Sequence, residues 1–334
     1  MSLRHRAVLV HRRTELEELL DRHATRGQAE FFLRTRGRTL AEVQERHDAV
    51  AAARRTVAQG VPADWALADV ERSDLDRFLF APEDVVVVVG QDGLVANVAK
   101  YLAGQAVIGV DPEPGRNAGV LVRHRPEEAA RLLAAAAVPG RPAAGGRPAP
   151  GGDRSRTGGG ADRGRVRGGG HGGTGTPSGT LAYDELTMVR ARLDDGQEVH
   201  ALNEVFVGHA SHQSARYVLT TGGRGEAQSS SGVIVGTGTG ATGWCASLAH
   251  DRGGRTLPGP TQPALAWFVR EAWPSPTTGA TLTDGVLGPG DEIVLTVRSD
   301  QLVVFGDGVE DDHLEAGWGQ DLRITLADRR LRLV

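Results

Sequence analysis

Five valines, residues 85–89, run directly into Gly90-Gln91-Asp92-Gly93, and an amphipathic stretch follows. A glycine-rich turn at the carboxyl end of a buried strand, opening into a helix, is a natural phosphate site. Its glycines let the backbone approach the ligand, and the helix N-terminus presents free N–H groups. An anion needs no acid there, so Asp92 requires a separate reason. A carboxylate beside bound phosphates can accept a hydroxyl proton, or hold a Mg²⁺ ion that bridges phosphates. The plainer alternative is a turn in which Asp92 caps the helix.

Residues 229–250 present a similar arrangement. A strand over 232–235 leads into a loop of glycine and threonine, and then a helix. Thr237, Thr239 and Thr242 can donate to phosphate or ribose oxygens. Gly236-x-Gly238-x-x-Ala241 also fits a dinucleotide-binding fingerprint, which expects an acid about twenty residues on, at the end of the next strand. Residues 251–263 offer no such strand, so that reading is weak. The sequence contains no Gly-Lys-Ser/Thr, which excludes a P-loop.

The elements that must hold these residues alternate in the first half. "RAVLVHR", "DWALAD", "DVVVVV" and "AVIGVD" read as strands. Helical spacing occupies "TELEELLDRHATRGQAEFFLRT", "LAEVQERHDAVAAARRTVAQG" and the stretches near 94–103 and 126–137. Strands alternating with helices, one of them apolar on both faces, predict a parallel sheet covered on both sides. The second half is β-rich, with a hairpin expected around Asp195-Gly196 and short runs such as "ARYVLTT", "SGVIVGT", "DEIVLTVRS", "QLVVFGD", "DLRITLAD" and "RRLRLV". The expected fold is an α/β N-terminal domain with a mostly parallel sheet over 1–138, plus an all-β C-terminal domain over 181–334. The end of the chain is a candidate to pack back on the first domain. Between them, residues 139–180 contain 16 Gly and 5 Pro among 42 residues. So little apolar surface cannot offset ordering entropy, and a disordered insertion, dispensable for folding and nucleotide binding, is expected.

A chain of 334 residues, 40% hydrophobic and 24% charged, is long enough for two such cores. Its net charge of −4 argues against a nucleic-acid partner. One cysteine, Cys245, excludes a disulfide or a Cys-based zinc site within one chain. The N-terminus has too short an apolar run for a signal peptide, and no stretch approaches a membrane span. No membrane partner and a cytoplasmic location are therefore expected. Lys100 is the only lysine beside 37 arginines, a coding bias that leaves arginine counts with little functional weight.

Gly90-Gln91-Asp92-Gly93, then Asn203-Glu204 in "ALNEV", then "TGTGATGW" over 237–244, stand in the order seen in the NAD kinases, and the chain resembles that family. The same superfamily includes the diacylglycerol and sphingosine kinases. The closing Asp307-Gly308 turn and strand pair resemble the family's end as well. The resemblance spans roughly residues 5–334 without the insertion. It implies transfer of phosphate from ATP or polyphosphate to the 2′-hydroxyl of NAD, giving NADP, with Mg²⁺ as cofactor and a homo-oligomeric assembly. By the same resemblance Asp92 is the catalytic acid, as base or Mg²⁺ partner. Gly90, Gln91, Gly93, Asn203, Glu204, Thr237, Thr239, Gly240, Thr242 and Trp244 would bind nucleotide, with Asn203 and Glu204 on adenine and ribose hydroxyls and Trp244 stacking on a base. Asp307 and Ser231 are further candidates. The chain departs from the family pattern at Gln91, Leu94, Gly238, Ala241, Gly243 and Ser231. A lipid or sugar kinase of the same superfamily, or a silent nucleotide-binding protein, are the alternatives.

Other residues invite plainer readings. His209 and His212 lie in an apparent loop without a third ligand. Cys245 reads as a small packed residue at a helix start. Glu310, Asp311 and Asp312 read as a solvated turn.

Overall fold

The structure, a computed structural model, describes residues 5–116, 119–136, 141–142 and 182–334. The insertion expected at 139–180 therefore lies outside the described residues, except for Arg141 and Pro142. The first part of the chain contains β1 (Arg6–His11), α1 (Glu15–His23), α2 (Arg26–Arg34), α3 (Leu40–Gln59), β2 (Ala66–Glu71), β3 (Asp84–Val89), α4 (Asp92–Ala99), β4 (Ala106–Val110), α5 (Ala129–Ala136) and β5 (Arg141–Pro142). The second contains β6 (Ala182–Leu186), β7 (Val189–Leu193), β8 (Glu198–Ala201), β9 (Glu204–Gly208), β10 (Ala215–Thr221), β11 (Arg224–Ser230), β12 (Gly232–Gly236) and α6 (Trp244–Asp251). It closes with β13 (Leu265–Arg270), β14 (Asp284–Leu287), β15 (Ile293–Val297), β16 (Gln301–Gly306), β17 (His313–Gly317), β18 (Asp321–Leu326) and β19 (Leu331–Leu333).

The valine strand explains the first layer. All six residues of β3 are buried, and a strand points alternate side chains to opposite faces. Val86 and Val88 pack with α4 residues Leu94, Val95 and Val98 on one face. Val85, Val87 and Val89 pack with Ala53 and Val57 of α3 and Leu132 and Leu133 of α5 on the other. β-branched residues suit such a two-sided burial, and helices cover both faces. The sheet runs β2-β1-β3-β4-β19-β6-β5. Pairing is parallel from β2 through β19, and β19 meets β6 antiparallel. Strands from beyond residue 180 thus complete the first sheet, so the expected boundary at 181 does not separate the two sheet systems.

The remaining strands form two six-stranded antiparallel sheets, β11-β10-β15-β18-β7-β8 and β14-β13-β12-β9-β16-β17. Both contribute to one apolar core, including Leu193, Val207, Tyr217, Val235, Leu295 and Val304. The hairpin expected at Asp195-Gly196 joins β7 to β8, with Gly196 at φ 96°. Among the described residues no helix is long and apolar enough to cross a membrane.

The segment after β4 folds back onto that strand: His124 N–H donates to Gly109 O and Asp111 N–H to His124 O. At Gly109 a Cβ would stand 2.1 Å from Leu121 O and 2.9 Å from Val122 Cα. Neither backbone atom can yield without moving residues 121–122. Gly109→Ala should therefore destabilise the protein by about 1–3 kcal/mol, the usual range for overpacking. Urea denaturation of the variant beside wild type measures it.

Candidate functional site

The chain passes from β1 to β2 on one side and returns to β3 on the other, so the strand order reverses between β1 and β3. Ligands of open α/β sheets bind outside the carboxyl ends of strands at such a reversal. Gly90-Gln91-Asp92-Gly93 leaves β3 at that place. Gln91 occupies the N-cap position at φ −110° and ψ 165° without a side-chain cap bond, a conformation open to any residue. A side chain at this position thus has no backbone cost. Asp92 is the first residue of α4 and not its cap. Its carboxylate instead accepts three backbone N–H groups, Oδ1 from Leu121 at 2.8 Å and Val122 at 2.9 Å, and Oδ2 from Val120 at 3.0 Å. The acid fastens the segment after β4 to the start of α4.

Asn203 and Glu204 lie where β8 gives way to β9. Asp307, in the turn after β16, shapes this corner. Its carboxylate accepts from Leu202 N–H at 2.8 Å, Asn203 N–H at 2.6 Å and Glu204 N–H at 3.4 Å, while its own N–H donates to Glu204 O at 3.0 Å. Asp307 holds φ 54°, a left-handed conformation that aspartate tolerates better than most residues. Burial pushes its carboxyl up to about 7, against the pull of the Leu202 and Asn203 amides, and the charge of Glu204 pushes the same way. Burial alone raises Glu204 above the usual carboxylate range.

The glycine–threonine loop packs on this corner. A Cβ on Gly240 would meet Asn203 O at 2.5 Å, so only glycine allows the approach. Thr237 is committed internally: its hydroxyl donates to Leu202 O and accepts from Thr239 N–H. Thr239, 7% exposed, has no hydrogen-bond partner for its hydroxyl among the described residues. Trp244 opens α6, stacks on Phe206 at 5.6 Å and 14°, and remains 37% exposed.

These parts meet. A cleft of about 190 Å³ is lined by Asp92, Gly93, Asn203, Glu204, Thr239, Gly240, Thr242 and Trp244, together with Val120, Leu121 and Gly243. A second cavity, about 410 Å³, lies against the same turn and is lined by Gly90, Gln91 and again Gly93. Arg12 and Arg13 beyond β1, Arg72 beyond β2, Arg46 and His47 of α3, and Glu113 and Asp307 also line it. Arg46 Nε is buried without a partner among the described residues. Two expected residues line neither cavity. Thr237 lies behind it, and Ser231 is exposed at the opposite end of β12. The dinucleotide fingerprint at 236–241 also fails physically, because β12 pairs antiparallel with β13 and lacks the parallel crossover that motif requires.

Several contributors were not singled out from sequence. Asn97 of α4 donates to Asp307 O at 3.2 Å and accepts from Arg72 Nε at 2.8 Å. Lys100, its side chain 2% exposed, pairs with Asp312 at 2.5 Å, and Tyr101 donates to the same carboxylate at 2.6 Å. Asp312 keeps the exposure expected of a solvated turn, with 44% of its side chain exposed, and it also ties the 307–312 turn to α4. The solitary lysine was the available signal, since a sequence that writes arginine everywhere else keeps its one lysine at a buried position, paired with a half-exposed aspartate.

Asp307 makes a pH prediction. A carboxyl raised by folding is protonated in the folded chain at a pH where the unfolded chain has lost its proton, so stability falls as pH rises from about 4 to 7 and then levels. His200, held down to about 4 by burial, works oppositely below pH 6.5, so the comparison with a variant isolates Asp307. Asp307→Asn should remove a loss on the order of a few kcal/mol between pH 5 and pH 8. Urea midpoints of both proteins at the two pH values provide the measurement. Comparison with models of known protein families gives no match, and comparison with curated proteins gives none either.

Proposed function

We propose that the protein is a phosphotransferase of the NAD kinase type, moving the terminal phosphate of ATP or polyphosphate to the 2′-hydroxyl of NAD. The observation that carries this reading is the convergence of Gly93, Asn203, Glu204, Thr239 and Trp244, from distant parts of the sequence, on one cleft, with an arginine-lined cavity directly across the Gly90–Gly93 turn. A transfer reaction needs two adjoining compartments separated by backbone that lets phosphate approach, and catalysis of phosphoryl transfer is mostly positioning and charge stabilisation. The basic cavity suits the donor: three of its arginines, Arg12, Arg13 and Arg72, lie just beyond the carboxyl ends of β1 and β2, where position and not number gives them meaning. The smaller cleft suits the acceptor. There Asn203 and Glu204 offer an amide and a carboxylate to ribose hydroxyls, Thr239 offers an unpaired hydroxyl, and Trp244 offers an exposed aromatic face.

The donor set fits a magnesium ion carried by phosphates. Among the described residues no three His, Cys, Asp or Glu side chains gather to hold an ion, and magnesium in such sites is commonly held by one or two carboxylates plus substrate phosphates. Asp92 Oδ2, with one amide bonded, would be the carboxylate oxygen nearest to that duty. When bound, the ion would offset charge on the phosphate oxygens. Asp92 itself keeps residues 120–122 against α4, which forms one wall of the acceptor cleft.

Incubation with ATP or polyphosphate, Mg²⁺ and a panel of NAD, NADH, sphingoid bases and sugars tests the reading; NADP formation is expected. Phosphorylation of a lipid or sugar alone would replace the acceptor, and binding of NAD or ATP without transfer would replace the activity. Thr239→Val gives a sharper expectation. Removing a buried hydroxyl that lacks a partner should leave the free protein as stable or about 1 kcal/mol more stable. The same change should weaken NAD binding by about five- to tenfold, the loss of one hydrogen bond. Thermal melts and calorimetric titration of NAD separate the two effects.

A further inference from the structure

The carboxylates at the cleft are not equivalent. Asp92 has about four lone-pair positions, and three accept backbone N–H groups. Those bonds hold a wall of the cleft, so a proton placed on Asp92 would weaken the wall at the moment of reaction. Asp307, partly withdrawn from solvent, spends both oxygens on the amides of residues 202–204. Glu204 differs from both. Its backbone is fixed on two sides, by Asp307 and by pairing with Gly236 of β12. Its carboxylate lines the cleft, and no side-chain or backbone donor among the described residues engages it. Beneath it lies Cys245, a buried thiol that burial and the charge of Glu204 push up to about 12, so the sulfur does not compete for the proton.

We infer that Glu204, and not Asp92, takes the proton from the acceptor hydroxyl, while Asp92 acts as a positioning residue. The inference rests on the phosphotransferase reading and assigns its chemistry differently from the family resemblance. In the step, the hydroxyl oxygen of the acceptor forms a bond to the terminal phosphorus of ATP or polyphosphate. The phosphoanhydride P–O bond breaks, and its electron pair leaves on ADP or the shortened polyphosphate. The hydroxyl proton passes to a Glu204 oxygen and then to solvent. Thr239, across the same cleft, is placed to orient an acceptor oxygen. A carboxylate whose proton affinity is raised by burial, with no competing donor, is a better base near neutral pH than one tied to amides.

The test uses the full chain with ATP, Mg²⁺ and NAD, and compares wild type, Glu204→Gln, Glu204→Ala and Asp92→Asn. Thermal melts and NAD affinity are read first, to separate folding and binding from chemistry. Glu204→Gln should keep the wild-type melting temperature and bind NAD within a few-fold, while turnover falls about a hundredfold or more. Glu204→Ala should regain at least tenfold of its lost turnover on addition of formate, a carboxylate small enough for the space. Asp92→Asn, which replaces an acceptor oxygen by a donor, should lower the melting temperature and gain nothing from formate. If wild type makes NADP and Glu204→Gln turns over within a few-fold of it, or formate leaves Glu204→Ala unchanged, the assignment of Glu204 is overturned and the phosphotransferase reading stands. If wild type transfers phosphate to no acceptor, both are overturned.

Discussion

A line of hydrogen bonds joins the α/β layer to the β layers at the cleft. Arg72, at the wall of the basic cavity, donates to Asn97; Asn97 donates to the carbonyl of Asp307; the Asp307 carboxylate collects the amides of residues 202–204. Every link is a polar group at least partly withdrawn from water, and a buried polar group left without its partner costs roughly 1–3 kcal/mol. The line therefore has one low-energy arrangement. It fixes Asn203 and Glu204 relative to α4, and with them the width of the cleft.

Helix α4 is the element that both compartments share. Its first residue, Asp92, holds residues 120–122, and its C-terminal end holds the 307–312 turn through Asn97, Lys100 and Tyr101. Between these ends Leu94, Val95 and Val98 are locked into the sheet by burial. A helix of eight residues is about 12 Å long, so a displacement at either end is carried to the other with little bending. The lone lysine makes sense in this frame. An ammonium is compact and can stay buried on its stem beside Asp312, whereas a planar guanidinium needs several donors satisfied at once.

Much of this was legible in the sequence. The two-sided valine strand, the helix spacings and the Asp195-Gly196 hairpin gave the α/β layer and the β-rich half, because each is written in local periodicity and turn chemistry. The three motifs also announced residues that the fold brings together. What stayed hidden was long-range. β13, "LAWFVR", has no alternation because both its faces are buried, and β6 and β19 join the first sheet only through strand pairing that no local pattern encodes. The duties of Asp92, Asp307 and Asp312 were hidden for the same reason. Their partners are amides and side chains far away in sequence, and an amide carries no residue-type signal.

The cleft also shows where local consistency gives way. Elsewhere the loop at 237–242 satisfies itself: Thr237 bridges Leu202 and Thr239, and Gly240 nests against Asn203. Within that loop Thr239 keeps a buried hydroxyl without a partner among the described residues, and Glu204 beside it keeps a half-buried carboxylate that none of them donates to. Valine at position 239 would fill the same space, and glutamine at 204 would carry no charge to desolvate. A fold that retains the costlier residue at both places, facing one cleft, sets these two groups where a ligand's hydroxyls and phosphate oxygens could satisfy them.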